Sequence, residues 1–185
     1  RFAVQKYRPW RIEHGLSPRR RKHRLGGSSG ELKQQFSVML ISELLTPESI
    51  LPDLKATSKK QALQEIASLA ARRLGLEDRA VLDVLLERER LGSTAVGYGV
   101  AVPHGKMTDL DRLYVAFAKL ANPVDFDAPD GRPVDLIFLL LTPENSGGDH
   151  LTALAKASRL LRDEKVRTLL RGSDNAEAIY SAFLE

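Results

Sequence analysis

The chain reads as an α/β layered domain behind a basic N-terminal tail, and three features of the sequence predict that class. Two amphipathic helical periods between 58 and 90 lead into a glycine-rich stretch, 91–106, with strand-like segments around it. Val134 to Leu141 is an apolar run broken by one Asp, the pattern of a strand buried on both faces. Helical segments then close the chain, so helices and strands are layered. A length of 185 residues fits one core-bearing domain with an appendage. An apolar share of 43% against 28% charged is the balance of a soluble globular protein.

The tail, 1–36, carries ten Lys/Arg against two Glu, whereas the remaining residues carry 18 against 22. The formal excess of +4 is therefore local, and the fold itself is mildly acidic. Arg19 to Arg24 is a block of like charge and Gly26 to Gly30 is linker composition, so the segment is expected to be disordered in isolation. It is read as an extension in a chain lacking Met at position 1, ahead of a nucleic-acid arm with Tyr7 and Trp10 as stacking groups. The domain, 37–185, is not expected to bind nucleic acid. Absence of Cys excludes disulfides and thiolate metal sites and is compatible with a reducing compartment. The longest strongly apolar run, Leu136 to Leu141, is too short to span a bilayer, and nothing argues for export, so a cytoplasmic protein is expected.

Within the domain, Val38 to Leu45 is expected to form a short helix ended by Pro47, and Ser49 to Leu54 an edge strand interrupted by Pro52. Thr57 or Ser58 caps a helix with Ala62, Leu63, Ile66, Leu69, Ala70 and Leu74 on one face and Gly75 closing it. A second helix, Asp78 to Arg90, turns Val81, Leu82, Leu85 and Leu86 inward. Val100 to Val102 is a short buried strand, with Val102 extended because it precedes Pro103. Leu113 to Leu120 is a strand by its alternation, and Asn122-Pro123 opens a turn-rich connection to Pro133. After the polar loop from Pro143 to Gly148, Asp149 caps a helix in which Leu151, Leu154, Ala155, Ser158 and Leu161 keep the helical period. Segments near Glu164 to Arg171 and Asp174 to Leu184 complete it.

The glycine-rich stretch is the candidate site. Pro103 fixes its own φ and Gly105 frees the next position, so His104 is expected on a bend at a strand end beside Lys106. A P-loop fails, because five residues separate Gly99 and Gly105 where four are needed and Met107 replaces the Mg²⁺-binding hydroxyl. A dinucleotide fingerprint fails at Val102. Zinc would need a carboxylate such as Asp149 recruited to the domain's two histidines. The remaining chemistry is phosphoryl transfer to imidazole, which needs positioning and charge stabilisation more than covalent help. His104 is the candidate acceptor; Arg88 or Arg90 offers a bidentate cation, and His150, in the first turn of its helix, a neutral N–H donor. Ser93 and Thr94 supply hydroxyls, and Gly97, Gly99 and Gly105 let backbone come close. No metal or nucleotide cofactor is expected.

The run Arg88-Glu89-Arg90-Leu91-Gly92-Ser93-Thr94, followed by Gly97-Tyr98-Gly99-Val100-Ala101-Val102-Pro103-His104-Gly105-Lys106, resembles the signature of fructose/mannitol-type enzyme IIA domains of the bacterial phosphotransferase system. Among these it is most similar to the nitrogen-regulatory enzyme IIA. The likeness spans Val38 to Glu185, including Pro133-Val134-Asp135-Leu136 and Asp149-His150-Leu151. It implies a mixed β-sheet flanked by helices, His104 as phosphoryl acceptor, Arg88 rather than Arg90 as the active-site arginine, and His150 as the second histidine. It also implies a histidine-phosphorylated carrier of the HPr or NPr type as donor. The output is then either regulation of targets such as sensor kinases or potassium transport proteins, or relay to a IIB domain of a sugar transporter. Tyr98 departs from the pattern, since the family usually has Asn between the two glycines.

Overall fold

The computed structural model describes residues 41, 44–145 and 149–184. The tail therefore lies outside the described residues, as does most of the helix expected over 38–45, of which Ile41 and Leu44 are helical. A short 3-10 turn, Pro47–Ser49, leads into β1 (Ile50–Leu54), followed by α1 (Lys59–Leu74), α2 (Asp78–Arg90), β2 (Ala95–Gly97), β3 (Val100–Ala101), β4 (His104–Met107), β5 (Tyr114–Val124), β6 (Val134–Pro143), α3 (Asp149–Arg162), α4 (Glu164–Gly172) and α5 (Ala176–Ala182).

The strands form one mixed sheet in the order β1-β5-β6-β3-β2, with β4 continuing along the β6 edge that β3 begins. β6 runs antiparallel to β5 and parallel to both β3 and β4; Val100 pairs with Leu136 and His104 with Leu140. The apolar run of β6 alternates between two cores. Ile137, Leu139 and Leu141 face α1 and α2, packing with Leu63, Ile66 and Leu85. Leu136, Phe138 and Leu140 face α3 to α5, packing with Ala157, Leu161, Leu170 and Phe183. A fully buried central strand has no polar face to present, which is why its sequence lacks alternation.

Local chemistry sets the helix ends. The Ser58 hydroxyl accepts from the Gln61 N–H at 3.2 Å to start α1, and Gly75, at φ 71°, ends it in the left-handed conformation. Asp163 and Asn175 cap α4 and α5. Pro52 is tolerated because β1 is an edge strand.

Three expectations need correction. β5 does not stop at Leu120: it continues through Asn122-Pro123 to Val124, with its register shifted between Lys119 and Val124. Ala121, Asn122 and Pro123 are exposed, so this irregular stretch tolerates the missing proline N–H. His104 opens a strand, β4, rather than sitting on a bend. The inward stripe of α3 is Ala153, Ala157, Leu160 and Leu161, with Leu151 70% exposed and Ala155 also outside. Ala153 and Ala157 let the first turns of the helix lie close to the sheet, so alanines share its inner face with Leu160 and Leu161.

Candidate active site

Three elements converge on His104. Val102 donates its N–H to the Thr94 carbonyl at 3.0 Å, and the Pro103 carbonyl accepts from the Leu140 N–H at 3.0 Å, which fixes the backbone on either side of the turn into β4. The His104 ring folds back so that Nδ1 lies 2.8 Å from the Val102 carbonyl. A carbonyl oxygen only accepts, so Nδ1 carries the proton and Nε2 carries the lone pair. From the last turn of α2, Arg88 donates Nε–H to that Nε2 at 2.9 Å, while its Nη1 donates to the Gly92 carbonyl at 3.0 Å. Both contacts select the same tautomer.

His150, in the first turn of α3, lies with its ring centroid 5.3 Å from that of His104 and tilted by 55°. Its Nδ1 is 2.8 Å from the hydroxyl of Thr142 on β6. Each histidine is 9% exposed. Burial, followed by the Arg88 charge, holds the His104 ring below its ordinary pKa against the opposing pull of the Val102 carbonyl and Glu89. Burial also lowers His150, followed by the charges of His104, Lys106 and Arg88. Both rings are therefore neutral at pH 7, and the site joins a nucleophilic nitrogen, a guanidinium and a second imidazole.

Arg88, His104 and His150 thus come together as expected, and Arg90 is exposed at the helix end. Other candidates are placed differently. The Ser93 hydroxyl donates to the Phe126 carbonyl at 2.5 Å, and that of Thr94 donates to Glu89 Oε2 at 2.6 Å, so both protons are engaged in holding the loop. Gly97 and Gly99 flank the β2–β3 hairpin; the Gly99 carbonyl accepts from the Asp135 N–H, five residues before the Leu140 that pairs with His104. That separation is roughly 17 Å along the strand. Their backbone is therefore shaped for the hairpin, where φ is 89° at Gly97, 59° at Tyr98 and 77° at Gly99. Asn at the middle position would adopt this conformation more easily than Tyr. The Tyr98 ring instead lies 4.7 Å from the Arg167 guanidinium, and Arg171 donates to its carbonyl. Gly105 is needed for space rather than freedom, since a Cβ there would meet Val84 Cγ1 at 2.3 Å.

Two residues were missed. Glu89 is buried, accepts from the N–H and hydroxyl of Thr94, and pairs with Lys59 at 2.9 Å. Its signal was the spacing of four from Val81 and Leu85, the other buried residues of α2. Thr142 was hidden at the end of an apolar run, in phase with Phe138 and Leu140. A cleft of about 590 Å³ between the start of α1 and the end of α2 is lined by Lys59, Leu86 and Glu89 and touches neither histidine. The reactive groups lie outside it. No group of three or more His, Asp or Glu among the described residues is placed to hold a metal ion. Nor is any described helix long and apolar enough to cross a membrane.

Residues 43–185 match the family model described as phosphoenolpyruvate-dependent sugar phosphotransferase system, EIIA 2. The chain is 58% identical over 143 residues to a nitrogen regulatory protein of Bradyrhizobium diazoefficiens, covering 77% of this chain and 94% of that one. It is 40% identical over 146 residues to a nitrogen regulatory protein of Pseudomonas aeruginosa, covering 78% and 95%. Among solved structures it is similar to the nitrogen regulatory protein IIA-Ntr from Neisseria meningitidis, with a TM-score of 0.74 and 40% identity, covering 78% of this chain and 99% of that one.

Proposed function

The chain belongs to the EIIA type-2 family of the phosphoenolpyruvate-dependent sugar phosphotransferase system, and from that premise we propose that it is a cytoplasmic phosphocarrier of a nitrogen-related branch, with His104 as its phosphoryl acceptor. The observation that supports this most is the tautomer of His104: with Nδ1–H held by the Val102 carbonyl, the nitrogen facing Arg88 is the one that carries the electron pair.

The step balances without a proton relay. Arg88 Nε–H withdraws from His104 Nε2, which attacks the phosphorus of a phosphohistidine on a carrier of the HPr or NPr type. The new N–P bond forms as the donor's N–P bond breaks, and the donor ring, already protonated at its other nitrogen, leaves as a neutral imidazole with the electron pair of that bond. The Nδ1 proton stays on His104, so its ring becomes cationic, and the Val102 carbonyl stabilises that charge. Arg88, released from Nε2, then faces the anionic phosphoryl oxygens, where its planar donors fit. His150 supplies an N–H from the other side. Glu89, Ser93 and Thr94 hold the loop that follows Arg88.

The output in this reading is regulatory: the added charge alters which target proteins, such as sensor kinases or potassium transport proteins, the surface accepts. The match to nitrogen regulatory proteins over nearly their full length supports it. The second reading, relay to a sugar-specific IIB domain, rests on the family's description as a sugar system. Incubation with a phosphorylated carrier should give an acid-labile, base-stable label that is absent in His104→Ala. A label surviving that substitution would refute the acceptor assignment, and rapid loss of label to an added IIB domain would favour the sugar relay.

A further inference from the structure

Thr142 has no part in the chemistry just described, yet it is a fully buried hydroxyl aimed at the second histidine. It stands on β6 opposite Lys106, two residues beyond the Leu140 that pairs with His104, on the face of the sheet that α3 covers. Its hydroxyl has one proton and two partners in range: His150 Nδ1 at 2.8 Å, and the Gly105 carbonyl, which can only accept, at 3.4 Å. A contact of 2.8 Å is ordinary for a hydroxyl donor, whereas 3.4 Å is stretched, so the proton belongs on the path to His150. The ring is neutral and has a single N–H to place. With Nδ1 accepting, that N–H must be at Nε2.

We infer that Thr142 is a positioning residue whose hydroxyl fixes His150 in the Nε2–H tautomer, so that this ring presents a donor rather than a lone pair toward a phosphoryl group on His104. The inference rests on the phosphocarrier reading for its consequence, but the tautomer itself stands apart from it. With the opposite tautomer, a lone pair on His150 Nε2 would face anionic oxygens and oppose the transfer. Among the described side chains, the charged groups acting on His150 are Arg88 and Lys106, with the His104 ring beside it, and none of them accepts a hydrogen bond from its Nδ1. Thr142 alone among the described side chains makes that contact.

The test compares wild type, Thr142→Val and Thr142→Ser in the full chain. Nitrogen-15 spectra of the histidine rings near pH 8, without any phosphoryl donor, should show a single Nε2–H form of His150 in wild type and Thr142→Ser. Thr142→Val should show a mixture. Labelling of His104 by a phosphorylated carrier should slow about tenfold in Thr142→Val, less than loss of a direct transition-state donor, and should recover in Thr142→Ser. An Nδ1–H form in wild type, or a single unchanged tautomer in Thr142→Val whatever the rate, would overturn the inference. Failure of wild type to label at His104 would instead strike the phosphocarrier reading, while the spectra would still decide the tautomer. Should the valine variant not fold, the wild-type spectrum and the serine variant decide it.

Discussion

Gly105→Ala should damage both the fold and the site, through one contact. An added Cβ would lie 2.3 Å from Val84 Cγ1, well inside the separation of about 3.5–4.0 Å at which carbons rest. Gly105 does not occupy the left-handed region, so backbone strain does not contribute. Overpacking of this kind costs about 1–3 kcal/mol, or roughly 2–12 °C in Tm for a chain of this size. The wedge opens between β4 and α2, and Val84 lies one helical turn before Arg88, so the 2.9 Å contact of Arg88 with His104 should lengthen and labelling should slow. The rescue is specific. With Val84→Ala the offending methyl is gone, and the next atoms, Val84 Cβ at 3.7 Å and its carbonyl oxygen at 3.9 Å, are at ordinary contact. Thermal unfolding of the four proteins in the cycle should show a favourable coupling of about 1–3 kcal/mol. An unchanged Tm in Gly105→Ala, or a double variant as unstable as the two singles added together, would refute the steric argument.

Other outcomes follow from the same geometry. Arg88→Lys keeps the charge but loses the Nε–H at His104, and should slow labelling by about 10- to 100-fold in a timed transfer assay. Arg88→Gln should also raise the titration midpoint of His104 in an NMR titration, because the guanidinium is one of the groups lowering it. Glu89→Ala leaves the buried Thr94 donors without their acceptor and Lys59 with Asp127 as its remaining ion-pair partner, and should cost about 1–3 kcal/mol in urea unfolding, whereas a change below a few tenths would contradict its anchoring role. Both histidines titrate below the ordinary value of about 6.5, so the unfolded chain binds more protons as pH falls through that value. Stability should therefore be complete above pH 7 and decline from there until the rings protonate in the folded state. His150→Gln should flatten that decline between urea melts at pH 7.5 and 5.5; an unaltered slope would contradict it.

The sequence carried more of the architecture than of the site. Uniform apolarity made β6 legible, and capping residues and Gly75 made α1 legible, because these signals are local. β4 was not legible, since His104-Gly105-Lys106-Met107 has no strand alternation and pairs only because β6 offers a free edge beyond β3. The inner face of α3 was misread for the same reason: alanines are inward only where a helix must approach closely, which depends on the sheet beneath it. Arg88, His104 and His150 were found through motif and resemblance, and the fold unites residues 62 positions apart. The glycines divided. Gly105 serves the site by admitting Val84, whereas Gly97 and Gly99 serve a distant hairpin, and sequence proximity to His104 could not separate the two uses. Thr142 and Glu89 act through groups far along the chain or one helical phase away, so their residue types alone gave no sign.

The central claim is that Nε2 of His104 is the nitrogen that takes the phosphoryl group while Nδ1 keeps its proton on the Val102 carbonyl. Protein carrying nitrogen-15 histidine, phosphorylated by a carrier and observed by heteronuclear NMR with phosphorus coupling, reads this directly. The N–P bond should appear on Nε2 of residue 104 with the Nδ1 proton still present. A bond on Nδ1, or on any other residue, would contradict the account.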